Sequence, residues 1–352
     1  MVVGAVPRLL PGVVGFAEEI CITLQAWSFG AATRLRFQTL TGNDPGMEFG
    51  PHLLLAVLEG AVGAAVLALT ALGLSLVFGV MRVVNVAHGE FYMLGAVVAW
   101  FVASVIAGHP ALGFVAALVI APLAAAVVAM VADRLVLKPV AYDPEATIVG
   151  TIGILYILQQ AALMWFGPEA RPVEPPFNHR IALPWYDWAA GEWFYPWGLS
   201  TTSYKLFVIA AAVVILLAFW AVLTRSRIGL IMRATQLDRE TALAFGIPVG
   251  RVYSLVFGLG AGLAALAAVL IVPIQQAHYL MGGDPLLLSF IVVIIGGLGS
   301  VRGTVVAALL IGMSDGIISV FLSPTLSKIL ATLLVALVLV FRPQGLFGTR
   351  AA

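Results

Sequence analysis

Long uninterrupted runs of hydrophobic residues, separated by short polar links, fill the chain from residue 53 to residue 341. Most of the runs approach the roughly 20 apolar residues that an α-helix needs to cross a bilayer. The pattern predicts eight long helical runs and a shorter one at 286–297. The long runs are 53–80, 91–108, 111–132, 147–166, 205–223, 252–274, 303–320 and 326–341. They are about twice as long as the alternating segments of about ten residues that a membrane β-barrel requires.

The composition excludes a water-soluble enzyme with a single core. Of the 352 residues, 62% are hydrophobic and only 10% are charged, whereas about 25% of a soluble domain is charged. So few charged side chains cannot cover the surface of a soluble protein of this length. We therefore expect an all-α polytopic integral membrane protein with about eight to nine transmembrane or half-membrane helices.

The positions of the cationic residues predict the orientation, since cytoplasmic loops of membrane proteins carry an excess of Lys and Arg. Cations follow the third, the short and the last hydrophobic runs, and five arginines fill the link 224–251 between the fifth and sixth runs. If the short run also crosses, alternating crossings place all of these cations on one side. That side is predicted to be the cytoplasm, which puts the N-terminus and the link 167–204 outside.

The external link 167–204 is rich in proline and aromatic residues, among them Trp185, Trp188, Trp193 and Trp197. One interpretation is a belt of aromatic side chains at the outer membrane interface, where Trp and Tyr are enriched. The other interpretation is a docking surface for an external partner. Both place the link at the outer face of the membrane.

Residues 1–46 do not fit the pattern of the rest of the chain. They contain a polar turn, Gly42-Asn43-Asp44-Pro45-Gly46, and Met47 is a more ordinary start for a membrane protein. We therefore expect an N-terminal extension without a transport role at 1–46, a transmembrane domain at 47–348 and a short tail at 349–352.

The chain carries no sequence motif for catalysis. A Walker A loop needs a glycine before its lysine, and none of Lys138, Lys205 and Lys328 follows a glycine. The single cysteine, Cys21, excludes an internal disulfide and a cysteine-based metal cluster, and the five histidines lack metal-ligand spacing. A net charge of +1 gives no general attraction to nucleic acid. We therefore expect no enzyme, catalytic residue, metal or cofactor, and energy for active transport would have to come from another protein.

A polar segment, Asn85-Val-Ala-His88-Gly89-Glu90-Phe-Tyr92, lies directly beside a membrane span. Polar side chains there are costly unless they face water, each other or backbone groups. Gly89 allows a break in the helix, so that freed amides and carbonyls line a passage together with Asn85, His88, Glu90 and Tyr92. The alternatives are a short cytoplasmic turn with a polar cap and a His88–Glu90 pair that acts as a structural lock.

A second unusual segment contains Gly296, Gly297 and Gly299 at the end of the short hydrophobic run. Glycine is among the worst helix formers, so this cluster indicates a half-helix that ends in a flexible, glycine-rich break. Close packing of helices through glycines such as Gly299 and Gly303 is a second interpretation, and both can hold. We expect this segment to face Asn85–Tyr92 across a substrate passage.

The cytoplasmic link 224–251 contains an amphipathic stretch that Gly246 and Pro248 end, as a C-cap glycine and a following proline do in helices. Its apolar residues fall at helical spacing on one face: Leu237, Leu243, Ala244 and Ile247. Such a helix is suited to docking in a groove on a partner protein. The residues assigned to this docking are Arg233, Asp238, Glu240, Ala242 and Gly246.

These segments resemble those of a known family. Glu240-Thr-Ala-x-x-x-Gly246 is similar to the E-A-A-x-x-x-G loop of ABC importer permeases, with Thr241 where alanine is usual. Asn85-x-Ala-His-Gly-Glu-x-Tyr-Met-Leu-Gly95 resembles a block of the branched-chain amino acid (Liv-type) permeases, with Val86 where an aromatic residue is usual. Two further blocks agree, at Gly296–Ser300 and Phe341–Gly348. The resemblance covers roughly 51–348 and is closest to the LivH-like subunit.

The resemblance implies an import machine in the bacterial cytoplasmic (inner) membrane. A soluble, extracytoplasmic binding protein delivers a branched-chain or other hydrophobic amino acid to the outer face. Two related permeases, this chain and a second one, form the passage as a heterodimer. Two cytoplasmic ATP-binding subunits dock on the link 224–251 and supply the energy. The same resemblance leaves open a permease for urea or short-chain amides.

An ion-coupled secondary transporter is a different class of function, and it would need charged groups within the membrane. The candidates are Glu59, Glu90 and Asp315. We expect Glu59 and Asp315 instead to contact polar partners inside the helix bundle. A membrane enzyme with its site in the link 167–204 is a further alternative, but that link shows no acid–base constellation.

Overall fold

The computed structural model describes residues 49–106, 108–187, 192–194, 200–341 and 345. This part contains eleven α-helices, one π-helical turn and four short strands. The helices are α1 (Phe49–Met81), α2 (His88–Val105), α3 (Pro110–Ala132, continued by the π-helical turn Asp133–Leu137), α4 (Pro144–Phe166), α5 (Ser203–Arg225), α6 (Arg227–Leu237), α7 (Arg239–Ala244), α8 (Val249–Gln275), α9 (Gly283–Gly296), α10 (Val301–Phe321) and α11 (Pro324–Phe341). The strands are β1 (Arg180–Ala182), β2 (Trp185–Asp187), β3 (Glu192–Phe194) and β4 (Ser200–Thr202).

Seven helices in the described part are long and apolar enough to cross a membrane: α1, α2, α3, α4, α5, α8 and α10. The shorter apolar helices α9 and α11 complete the set. Each predicted hydrophobic run coincides with one of these helices. The predicted class, an all-α polytopic membrane protein, is therefore confirmed. The extension expected at 1–46 and the tail expected at 349–352 lie outside the described residues, and the domain boundaries stay predictions.

Short polar side chains fix where several helices begin. Asp143 accepts a hydrogen bond from the Ala146 amide (3.0 Å) at the start of α4, where Pro144 occupies the first helical position. Ser300 accepts one from the Gly303 amide (3.2 Å) at the start of α10. Such caps satisfy amides that have no partner within the helix. The polar links therefore define where these apolar helices start.

Helices α1 and α8 form the centre of the bundle. Within the most apolar stretch of each span, 83% of the residues are buried in α1 and 78% in α8, against 22% in α4 and in α5. Helix α2 packs on α8, where the rings of Phe91 and Phe257 meet edge to face at 5.7 Å. The outer helices expose large apolar side chains such as Val115, Ile157 and Leu217, as helices that face lipid do.

Helices α1 and α10 cross at close range through small residues. A Cβ atom added to Gly312 would lie 2.3 Å from the Cα of Ala64, and one added to Gly316 would lie 2.2 Å from the Cα of Gly60. The helices therefore touch backbone to backbone, with small residues four apart on each. Close to this crossing, Gly63 has no atom within 4 Å of its Cβ position, which leaves space beside α1.

The link between α4 and α5 contains two antiparallel strand pairs, which were not predicted from the sequence. Strand β1 pairs with β4 and β2 pairs with β3. Arg171 and Ala277 exchange backbone hydrogen bonds of 2.7 and 2.8 Å, so the link is tied to the loop that follows α8. Trp188 and Trp197 lie outside the described residues, and both interpretations of the aromatic link stay predictions.

Candidate functional site

The polar segment between α1 and α2 folds back along α1. Helix α1 ends at Met81, and Arg82 takes a left-handed conformation with φ of 57°. The chain then returns so that His88 Nε2 lies 2.9 Å from the carbonyl oxygen of Thr70. Thr70 lies about three turns before the end of α1. Residues 82–87 therefore form a re-entrant connection, and the first turn of α2 lies deep beside α1.

The polar side chains of this segment are buried and only partly satisfied. Asn85, His88 and Glu90 are 1%, 0% and 4% exposed. The Asn85 side chain accepts a hydrogen bond from the Ala87 amide at 3.1 Å, but His88 Nδ1 and Glu90 Oε2 have no hydrogen-bond partner. The alternative interpretation, a His88–Glu90 lock, is therefore wrong, because His88 Nε2 contacts the Thr70 carbonyl and no hydrogen bond joins the two side chains. In the described part, no three His, Cys, Asp or Glu side chains gather in a metal-ligand arrangement.

Gly89 does not break a helix, because it is the second residue of α2. A Cβ atom added to Gly89 would lie 2.4 Å from the carbonyl oxygen of Gly282, the residue that precedes α9. The glycine thus lets the first turns of α2 and α9 meet backbone to backbone. The predicted break at Gly89 is wrong in position, since the chain leaves the helical conformation at 82–87 instead.

The glycine-rich break between α9 and α10 is present as predicted. Gly297 and Gly299 have φ values of 99° and 78°, which favour glycine over other residues. A Cβ atom added to Gly296 would lie 2.5 Å from the carbonyl carbon of Gly303, and one added to Gly299 would lie 2.9 Å from the Cα of Gly79. The segment therefore combines a helix break with close glycine packing.

The two predicted segments do not face each other. Gly89 contacts the residue just before α9, whereas Gly297 follows the last residue of α9. Helix α9 has 14 residues, so these two points lie roughly 20 Å apart along its axis. The predicted juxtaposition of Asn85–Tyr92 and Gly296–Gly299 across one passage is therefore wrong. Their assignment to a substrate route stays a prediction.

A cavity of about 340 Å³ lies between α1, α2, α8, α9 and α10, with α11 at its edge; we call it the outer cavity. Of the predicted pathway residues, Tyr92 lines it. Its apolar lining includes Val66, Leu67, Ile271, Leu288 and Ile311, and its polar lining includes Thr70, Gln275, His278, Asp284, Asp315 and Lys328. This cavity was not predicted from the sequence. The available signal was the presence of charged residues inside the runs 303–320 and 326–341.

The arginine-rich link 224–251 forms two helices where one amphipathic helix was predicted. Asp238 separates α6 from α7, and its Oδ1 accepts hydrogen bonds from the amides of Glu240 (2.9 Å) and Thr241 (3.2 Å). The Thr241 hydroxyl donates to the other carboxylate oxygen. The hydrogen bonds from Thr241 hold the pKa of Asp238 below its usual value. The single-helix prediction is wrong because Asp238 caps a new helix.

The end of α7 follows the predicted stop signal. Gly246 has φ of 79°, its amide donates to the Leu243 carbonyl at 2.9 Å, and the Ile247 amide donates to the Ala242 carbonyl at 3.0 Å. These two bonds and the left-handed glycine form a Schellman C-cap. No atom lies within 4 Å of a Cβ position on Gly246, so its backbone conformation, and not lack of space, favours glycine.

The residues assigned to docking occupy different environments. Asp238, Glu240 and Gly246 are exposed on or beside α7. Ala242 is 3% exposed and packs in the core, and Arg233 lies on α6 beside a second cavity of about 570 Å³ at the end of α1. The exposed surface also carries Leu237 (81% exposed) and Leu243 (51%), which belong to the predicted apolar face, and Phe245 (84%), which was not predicted.

Two acidic residues within the predicted spans contact partners on other helices, as expected. Glu59 of α1 forms an ion pair with Lys205 of α5, and Asp315 of α10 accepts a hydrogen bond from Ser327 of α11. Both contacts join neighbouring helices. These carboxylates therefore stabilise the bundle through specific polar contacts.

Comparison with known proteins gives consistent matches along most of the chain. A family model described as the branched-chain amino acid transport system / permease component matches residues 56–339. The chain is 27% identical over 306 residues to the high-affinity branched-chain amino acid transport system permease protein BraD of Pseudomonas aeruginosa, covering 84% of this chain and 96% of that protein. It is also 27% identical over 307 residues to LivH of Escherichia coli K12, with the same coverage. No solved structure gives a significant match.

These matches show what kind of protein this is. The matching proteins are permease components of transport systems, so the expectation that the chain is not an enzyme is confirmed. The apolar helices and the relatives place it in the inner membrane as a multi-pass protein. An ABC importer permease works with ATPase and other subunits. The family model covers well over half of the sequence, and the chain therefore belongs to the family of branched-chain amino acid transport permeases.

Proposed function

We propose that this chain translocates branched-chain, or other hydrophobic, amino acids across the bacterial cytoplasmic membrane. It acts as one permease of a heterodimer with a second, related permease. Two cytoplasmic ATP-binding subunits supply the energy, and an extracytoplasmic solute-binding protein delivers the amino acid. The names of the relatives, BraD and LivH branched-chain amino acid permease proteins, support this substrate class.

The observation that carries the proposal is the outer cavity. Its charged and polar lining lies toward one end of the helices, with Gln275 at the end of α8 and Asp315 in the last two turns of α10. Its apolar lining, such as Ile271 and Ile311, lies about one turn deeper on the same helices. A small solute with charged groups and an aliphatic side chain fits this arrangement. The volume of about 340 Å³ is typical of a small-molecule pocket.

The predicted orientation places the outer cavity on the external side. The arginine-rich link 224–251 leads into the first turn of α8, whereas Gln275 of the cavity is the last residue of α8. Cation-rich links mark the cytoplasm, so the Gln275 end of α8 is the external end. A solute released by an external binding protein would therefore reach Asp315 and Gln275 first. The route would continue past Tyr92, which lines the cavity, toward the buried polar segment of His88 and Glu90.

His88 and Glu90 supply polar groups that are buried in the bundle. His88 and Glu90 each have one side-chain atom without a hydrogen-bond partner, so both can accept a new contact when the surrounding helices move apart. The backbone contact between Gly89 and Gly282 lies at the same level and would have to open. Gly296, Gly297 and Gly299 would then form the cytoplasmic hinge of the route.

The exposed surface of α7 supports docking of an ATPase subunit. Leu237, Leu243 and Phe245 project from a short capped helix on the side predicted to be cytoplasmic. Apolar side chains of this size seldom cluster on an exposed helix end unless a partner covers them. Glu240, in the first turn, adds a negative charge to the same surface.

Uptake measurements in a strain that lacks this chain but keeps its partner subunits test the proposal. Restoring the chain should restore uptake of labelled leucine, isoleucine and valine, and uptake should stop when the ATPase subunits are deleted. Uptake of urea or acetamide in place of the amino acids would overturn the substrate class. Uptake that persists without the ATPase subunits and collapses with a protonophore would favour an ion-coupled transporter.

A pair of phenylalanine variants tests the docking surface. Phe245→Ala should lower transport-coupled ATP hydrolysis, whereas Phe101→Ala is the control, because its side chain is also exposed (52%) but lies on α2. Both changes remove exposed rings and should leave folding nearly unchanged. Equal coupling in the two variants would contradict docking at α7.

A further inference from the structure

The mouth of the outer cavity carries more negative than positive charge. Asp284 of α9, Asp315 of α10 and Lys328 of α11 all line it. Asp315 accepts a hydrogen bond from the buried Ser327 hydroxyl, but it forms no salt bridge within the described residues. A carboxylate beside an apolar wall without a cationic partner favours a positively charged group of a ligand.

Lys328 is placed to hold a carboxylate. Its Nζ donates a hydrogen bond to Asp284 Oδ2 at 2.6 Å. Both side chains of this ion pair are well exposed, at 48% and 69%, and exposed ion pairs contribute little to stability. Another carboxylate in the cavity can therefore compete with Asp284 for Lys328 at a small cost.

The wall below these charges is apolar and has spare room. Leu67, Ile271 and Ile311 line it on three different helices. Gly63 also lines the cavity, and no atom lies within 4 Å of its Cβ position. A side chain at this position would therefore occupy the cavity itself without displacing the backbone of a neighbouring helix.

We propose that the outer cavity is a binding site for an aliphatic α-amino acid, in which Asp315 binds the ammonium group, Lys328 binds the carboxylate and the wall beside Gly63 accepts the branched side chain. The inference rests on the proposed function and deepens it, because it gives this chain a share of substrate recognition. Both charged ends of a zwitterion need partners when they leave water. The cavity mouth supplies one partner for each end.

Protection from thiol labelling measures binding at this site directly. In a chain with Cys21 replaced by serine and assembled with its partner subunits, Gly63→Cys places a thiol in the cavity. Leucine should slow its reaction with a hydrophilic thiol reagent. Ser200→Cys, which is exposed in the external link, is the matched control, and its labelling should not depend on leucine. Unchanged labelling of Gly63→Cys at saturating leucine would overturn the site.

Variants that remove a charge, and ligands that lack one charged group, test which residue binds each charged group of the amino acid. Asp315→Asn or Lys328→Gln should raise the leucine concentration needed for protection by about tenfold or more, since each loses a charge-assisted hydrogen bond. Isoamylamine, which lacks the carboxylate, and 4-methylpentanoate, which lacks the ammonium group, should each protect much less than leucine. If leucine protects the cavity thiol equally in both charge variants and in the parent, Asp315 and Lys328 do not bind the amino acid.

A second pair of variants tests where the side chain of the bound leucine lies. Gly63→Leu should weaken protection of a cavity thiol placed at Leu67 and lower leucine uptake. Gly153→Leu is the control, because Gly153 also has no atom within 4 Å of its Cβ position but lies exposed on α4. Equal uptake by the two leucine variants would contradict a side-chain pocket beside Gly63.

The outcomes separate this inference from the proposed function. If the parent complex imports no aliphatic amino acid, the proposed function fails. If the parent complex imports leucine but Asp315→Asn, Lys328→Gln and Gly63→Leu import it with unchanged KM and kcat, the proposed function stands and the binding site is wrong.

Discussion

Gly89 and Gly282 meet backbone to backbone where the first turn of α2 crosses the start of α9. A Cβ atom on Gly89 would lie 2.4 Å from the Gly282 carbonyl oxygen, and one on Gly282 would lie 2.2 Å from the Gly89 carbonyl oxygen. Neither position tolerates a side chain without a shift of the backbone. The contact therefore fixes how closely the re-entrant segment approaches α9, beside Met281 and Asp284, which line the outer cavity.

Gly89→Ala is expected to destabilise this crossing. The added methyl group must push α2 and α9 apart, and overpacking of this kind typically costs about 1–3 kcal/mol. Thermal unfolding of the purified complex should show a lower Tm than the parent. Gly153→Ala is the control, since nothing lies within 4 Å of its Cβ position, and it should leave Tm unchanged or slightly higher. An unchanged Tm for Gly89→Ala would show that the crossing is loose.

The cap of α7 predicts a local effect of Asp238→Ala. The change removes the acceptor of the Glu240 and Thr241 amides, so hydrogen exchange at these amides should become several-fold faster. Asp238→Asn keeps a capping oxygen and should retain most of the protection. Equal exchange in the alanine variant and the parent would show that the cap is not needed.

The pH dependence of this cap follows from the lowered pKa of Asp238. A carboxyl group with a folded-state pKa below its unfolded value stabilises the fold above the usual Asp range, and the effect is lost only as pH falls through the lowered pKa. Protection of the Thr241 amide, corrected for intrinsic exchange, should therefore be the same at about pH 5 and about pH 7. Loss of protection at the lower pH would contradict the lowered pKa.

Gly246→Ala and Gly250→Ala form a second matched pair. Neither glycine has an atom within 4 Å of its Cβ position, but Gly246 has φ of 79° while Gly250 lies in the first turn of α8. Alanine in the left-handed conformation costs about 1–2 kcal/mol, so only Gly246→Ala should fray the end of α7. Transport-coupled ATP hydrolysis should fall in this variant and not in Gly250→Ala. If both variants retain the same ATPase activity, the helix end at Gly246 is not required for coupling.

Periodicity and run length predicted the helices well because lipid imposes one rule on every span: the backbone must satisfy its own hydrogen bonds, and the side chains must be apolar. The glycine break was also predictable, since Gly297 and Gly299 adopt conformations that other residues rarely take. The stop at Gly246 is a similarly local signal, because its bonds join residues within one turn.

Features that depend on contacts distant in sequence were not predictable. The return of the chain after Arg82 depends on the hydrogen bond between His88 and Thr70, and no local pattern encodes that pairing. The outer cavity depends on five helices that meet around Gly63. Asp238 is an intermediate case: it was assigned to docking, but its capping role was missed because the apolar spacing on both sides resembled one continuous helix.

The orientation can be tested with single cysteines in a chain whose Cys21 is replaced by serine. Ser200→Cys lies exposed in the link 167–204, and Leu237→Cys lies exposed (81%) on the arginine-rich link. Because positive charge marks the cytoplasmic side, an impermeant thiol reagent should label Ser200→Cys in intact spheroplasts and should label Leu237→Cys only after lysis. The reverse pattern would place α7 outside the cell, out of reach of any ATPase, and would move the outer cavity to the cytoplasmic side. Labelling of both cysteines in intact spheroplasts would mean that α5, the helix between the two positions, does not cross the membrane.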